Sequence, residues 1–114
     1  MAVAARLEAF HQALMQAVEK HAPEAHVELE EKRGILLEGR LDLDRDKFVA
    51  IYFNALTGKT SYALIWRNRR LAGYDNYKYW HYHPAGEVSR HVACAEPTPQ
   101  EAVARLVEIG RATD

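Results

Sequence analysis

The 114-residue chain reads as an α+β protein, an antiparallel meander sheet of five to six strands with an N-terminal and a C-terminal helix packed on it. Helical apolar spacing occurs only at the two ends, and period-two or continuously apolar segments fill the middle. The turns between those middle segments are short, whereas parallel neighbours would need crossovers of a dozen or more residues. The length and 48% hydrophobic content suit one core, so residues 1–114 are taken as a single domain.

At the N-terminus Val3, Leu7, Phe10, Leu14 and Val18 recur on one face, with alanines between them, and the helix is expected to end near His21-Ala22-Pro23. Val27, Leu29 and Glu31 alternate with Glu28 and Glu30 in a short strand with one acidic face, placed at or near a sheet edge. In GILLEGRLDL, Ile35, Leu37, Leu41 and Leu43 share one side, and Glu38, Arg40 and Asp42 share the other. FVAIYF at 48–53 and SYALIW at 61–66 are continuous apolar runs of the kind covered on both faces, separated by a Thr57-Gly58 turn. Arg67 to Arg70 reads as a hairpin tip, LAGYDNY as a return to extended chain, and Pro84-Ala85-Gly86 as the next turn. VSRHVACA at 88–95 is the last strand. Thr98 then serves as N-cap, Pro99 as the first helical residue and Glu101 as partner in a capping box, opening a helix that ends around Gly110.

A formal charge of −1 argues against a protein that binds nucleic acid or an anionic membrane over its whole surface. The single cysteine, Cys94, allows no internal disulfide and fits a reducing cytosol. No signal-like segment or run of about 20 apolar residues is present, so a cytoplasmic protein with no membrane partner is expected.

Charge is unevenly spread. Residues 66–91 hold five Lys and Arg against two Asp and Glu, and the segments on either side are net acidic. The same window carries Tyr74, Tyr77, Tyr79, Trp80 and Tyr82. Cations for phosphates interleaved with rings for base stacking suit RNA, which makes Arg67, Arg69, Arg70, Tyr74, Lys78 and Tyr79 the nucleic-acid-binding candidates. His81 and His83, two apart in an extended segment, project from one face. A three-residue Pro84–Gly86 loop would bring His91 to that face and a two-residue loop would send it to the other. With Asp75 approaching from the neighbouring strand, His81, His83, His91 and Asp75 are the catalytic candidates. They suit metal-independent ribonuclease chemistry, in which one imidazole takes the 2′-hydroxyl proton and another protonates the departing 5′-oxygen. No cofactor is required for that, although His81 and His83 could share a divalent metal, zinc or another first-row ion. Asp75-Asn76 also fits a turn whose side chains bond nearby backbone groups.

Tyr74-Asp75-Asn76, the closely spaced His81 and His83, a short strand and the Pro-rich start of EPTPQEAVARLVEI together resemble the TumE-like family of small toxin-antitoxin proteins, over roughly residues 48–110. Here Gly73 stands before the YDN where the family has a basic residue. The resemblance implies the toxin of a two-protein operon, neutralised by a small helix-turn-helix antitoxin, and by analogy of fold and size a target in RNA. The alternative is a non-enzymatic nucleic-acid- or protein-binding module using the same surface. A homo-oligomer joined through the aromatic strand is a third reading.

Overall fold

The computed structural model describes residues 2–87 and 89–113. In chain order they form α1 (Val3–His21), β1 (His26–Lys32), β2 (Leu36–Asp44), β3 (Lys47–Asn54), β4 (Thr60–Trp66), β5 (Arg69–Asp75), β6 (His81–His83), β7 (Val92–Ala93) and α2 (Pro99–Arg111). The strands make one antiparallel sheet in the order of the sequence, so the expected meander and its two helices are present, with β1 at one edge. The described residues form seven strands rather than five or six.

The additional strand arises because residues 69–83 fold back on themselves. Asp75 Oδ1 accepts the Tyr77 N–H at 3.1 Å, and Asn76 Oδ1 accepts the Thr60 N–H at 2.8 Å while its Nδ2 donates to the Gly58 carbonyl. These side chains take up backbone groups that a continuing strand would have paired, and the chain turns through 76–80. Lys78 completes the turn at φ +68°.

Both helices cover the same sheet face. Phe10 of α1 stacks on Phe53 of β3 with ring centroids 4.1 Å apart, and Arg105 of α2 lies over the Tyr82 ring of β6. The core between them contains Leu7, Leu14, Leu37, Leu41, Val49, Ile51, Tyr62, Leu64, Ala72, Val103, Leu106 and Val107, all buried. Period-two alternation sends the other half of each strand outward. In β3 and β4 only the alternate residues are fully buried, and Phe48, Ala50 and Tyr52 are half-buried on the helix-free side. The expectation that 48–53 and 61–66 are covered on both faces therefore does not hold: both helices pack on one side, and none of the described helices packs on the other.

The ends of α2 are held as its sequence suggests. Thr98 and Glu101 form the reciprocal capping box. At the other end Lys47 Nζ donates to the Gly110 carbonyl at 2.6 Å and also to the Thr113 carbonyl, placing a cation on the negative end of the helix dipole. No helix among the described residues is long and apolar enough to cross a membrane.

Candidate functional site

Strand register decides which side chains meet on the helix-free face. Asp75 of β5 pairs directly with His81 of β6, and Gly73 with His83. Tyr82 and His81 pair with Val92 and Ala93 of β7, and continuing that register by one step sets His91 opposite His83. Residues opposite one another share a face, so Asp75, His81, His83 and His91 converge. Neither the two- nor the three-residue loop at Pro84 forms. Eight residues, 84–91, join β6 to β7, and this longer loop is tied to β5 by the Gly86 N–H donating to the Leu71 carbonyl at 3.1 Å. Only Val92 and Ala93 of the segment expected as a last strand pair as one, and Val88 lies outside the described residues.

The cluster is tight. His81 Nε2 lies 3.1 Å from Asp75 Oδ1, and His83 Nε2 lies 3.2 Å from Asp75 Oδ2, so one carboxylate addresses two rings with its two oxygens. His81 and His83 are 3% and 2% exposed, whereas His91 is exposed, with its ring 4.7 Å from that of His81 and 4.5 Å from that of His83. His81 Nδ1 is 2.9 Å from the Tyr79 carbonyl oxygen, which can only accept, so Nδ1 carries the proton and Nε2 is directed at the carboxylate.

Around this cluster lies an open cleft of about 420 Å³, lined by Arg70, Asp75, Tyr77, Lys78, Tyr79, His81, His83 and His91. Arg70 reaches it because of a bulge. Leu64 pairs with Ala72 and Ile65 with Arg70, leaving Leu71 as the extra residue. That insertion reverses the alternation, so Arg70 faces the same side as Asp75 instead of the helices. Tyr77 and Tyr79, 66% and 51% exposed, stand at the mouth.

Four of the sequence candidates, Asp75, His81, His83 and His91, thus form the centre, and Arg70, Lys78 and Tyr79 form its rim. The others lie apart. Arg67 stacks on Trp66 at the β4–β5 turn, where Arg67 and Asn68 both have positive φ, and Arg69 pairs with Trp66 on the helix side. Tyr74 also faces the helices, its ring 4.8 Å from that of Tyr82, and burial raises its phenol pKa above the usual value. Alternation alone separates Tyr74 from Asp75. Tyr77 is a rim residue that sequence reasoning did not single out; its signal was its place in the turn that Asp75 closes.

Comparison of the chain with family models, with curated proteins and with solved structures finds no match.

Proposed function

We propose that this chain is the toxin component of a toxin-antitoxin pair and acts on RNA in the cleft between the β5–β6 turn and the β6–β7 loop. The reading is carried by one observation: three imidazoles and a carboxylate meet in a cleft whose rim holds two cationic side chains, Arg70 and Lys78, and two exposed tyrosines. The cations suit phosphates, the rings suit unpaired bases, and the central groups are of the types that move protons or polarise a phosphoryl oxygen. The reaction that fits is transfer of the phosphoryl group from the 5′-oxygen to the neighbouring 2′-hydroxyl. The hydroxyl loses its proton as the new P–O bond forms, and the departing oxygen gains one. TumE-like proteins are the family this reading places it with, and a small helix-turn-helix antitoxin is its expected partner in the cytoplasm.

Induced expression should slow growth, and a paired antitoxin should restore it. His81→Ala with His83→Ala should abolish the inhibition, and because both rings are buried, Lys78→Ala with His91→Ala supplies a test at exposed positions. A folded variant of either kind that stays fully toxic removes the reading.

A second reading, a module that binds single-stranded nucleic acid without cleaving it, is favoured by the exposed Tyr77 and Tyr79 beside Lys78. Under it, Tyr79→Ala weakens RNA binding and RNA stays intact on long incubation.

A further inference from the structure

We propose that Asp75, His81, His83 and His91 bind one divalent transition-metal ion, zinc by preference. One ring nitrogen from each of the three histidines lies within 4.8 Å of the other two. Imidazole and carboxylate donors without a thiolate suit zinc and its first-row neighbours.

Two features point beyond an ordinary histidine cluster. The first is hydrogen-bond accounting at His81. Its Nδ1–H donates to the Tyr79 carbonyl, so Nε2 is the ring nitrogen aimed at the Asp75 carboxylate 3.1 Å away, and in the neutral ring that nitrogen carries the lone pair an ion needs. Beside a buried carboxylate oxygen it needs a positive centre, which a metal ion or a second ring proton supplies. An imidazole whose second nitrogen is anchored on a backbone carbonyl is the form in which metal-ligating histidines are held.

The second feature is distance. A proton shared between imidazolium and carboxylate draws the pair to about 2.7–2.9 Å. Donors about 2.1 Å from a tetrahedral ion sit about 3.4 Å from one another. The observed 3.1 and 3.2 Å from the Asp75 oxygens to His81 and His83 lie between the two spacings, so these donors need to part by only about 0.2–0.3 Å to take an ion. Asp75, His81 and His83 are set by paired strands. His91, exposed and on the loop before β7, supplies the fourth donor, with a ring nitrogen within 4.8 Å of one from His81 and one from His83. The Tyr77 N–H on Asp75 Oδ1 orients the carboxylate.

The site deepens the proposed function and rests on that reading only for what the ion would do. With zinc bound, the four donors carry one net positive charge, and Arg70 and Lys78 add to it, so a phosphoryl oxygen is drawn to an ion that can expand to five ligands.

The test uses the untagged full chain, stripped with chelator and titrated with zinc chloride by calorimetry. Cobalt(II) is used in parallel for its ligand-field absorption. One ion per chain at micromolar affinity or tighter, with the intense visible bands of a tetrahedral or five-coordinate cobalt site, is expected. His91→Ala, at an exposed position, and Asp75→Asn should each weaken zinc by about tenfold or more. His26→Ala should change nothing, although His26, Glu28 and Asp42 form a second, largely exposed cluster of donors. No saturable binding, or binding lost with His26→Ala and kept with His91→Ala, overturns the proposal. RNA cleavage by the stripped protein in excess chelator would overturn the ion's part in the reaction and leave the function standing. Stoichiometric zinc on a protein that never touches RNA would uphold the site and sink the function.

Discussion

Replacing Gly73 by alanine tests how strand spacing holds the cleft. Gly73 lies in β5 two residues before Asp75, paired with Ala63 on one side and His83 on the other. A Cβ there would sit 2.6 Å from the Tyr62 carbonyl oxygen and 3.4 Å from the Ala63 Cα, both backbone atoms inside a hydrogen-bonded sheet. Contacts of this kind do not fall below 3.0 Å, so β4 and β5 must part by at least about 0.4 Å. Overpacking of this sort costs about 1–3 kcal/mol, and the smaller entropy loss of alanine returns about 0.5–1 kcal/mol. The net loss is about 1–2 kcal/mol, well inside the total stability of about 5–15 kcal/mol usual for a domain, so the variant folds. A shift of at least that size at β5 carries the Asp75 carboxylate with it and takes up most of the ~0.5 Å within which a site keeps its geometry. Zinc affinity should therefore fall measurably, by a few-fold. Gly39→Ala is the comparison. At φ +152° its Cβ would meet the Glu28 carbonyl oxygen at 1.9 Å, which together with backbone strain costs about 3–5 kcal/mol, but the damage lies between β1 and β2, away from the cleft. Urea titrations followed by circular dichroism give both stabilities, and calorimetry on the folded fraction gives both zinc affinities. Gly73→Ala within about 0.5 kcal/mol of the parent and with unchanged affinity would refute the coupling of strand spacing to the site.

Four further outcomes are expected. Thr98→Ala removes one half of the capping box and should cost about 1 kcal/mol in urea unfolding. Lys47→Met leaves the Gly110 and Thr113 carbonyls without their cation and should cost about 1–2 kcal/mol, with amide exchange rising first in the last turn of α2. Burial raises the Tyr62 pKa far above the usual phenol value of 10.0, so its contribution is fully present below pH 10 and is lost as pH rises beyond it. Stability should fall by up to about 1.4 kcal/mol per pH unit there, and Tyr62→Phe should flatten that slope in urea melts at alkaline pH. Arg70→Ala should weaken RNA binding and lower the slope of log affinity against log salt by about one, as measured by fluorescence anisotropy.

The parts of this molecule legible in its sequence are those governed by local rules. Period-two and helical spacing placed the helices and most strands, and Thr98-Pro99-Gln100-Glu101 announced the cap of α2 that the structure contains. His81 and His83 on one face followed from alternation, and the chain order of Asp75 and His81 across one turn made their meeting readable. What escaped depended on non-local geometry. The bulge at Leu71 turns Arg70 into the cleft, and no pattern within the strand reports it. The eight-residue loop brings His91 back by pairing beyond the turn, so counting residues at Pro84 could not find its register. Asp75 and Asn76 bend the chain early through backbone hydrogen bonds, which made two strands of one expected segment and put Tyr79 at the rim of the cleft.

The most direct test of the central claim is incubation of end-labelled single-stranded RNA with the purified chain, beside His91→Ala and Asp75→Asn variants shown by circular dichroism to be folded. The account predicts cleavage by the parent protein, products ending in 2′,3′-cyclic phosphate, and little or none from either variant. RNA that remains intact with the parent protein, or is cut equally by all three, would contradict it.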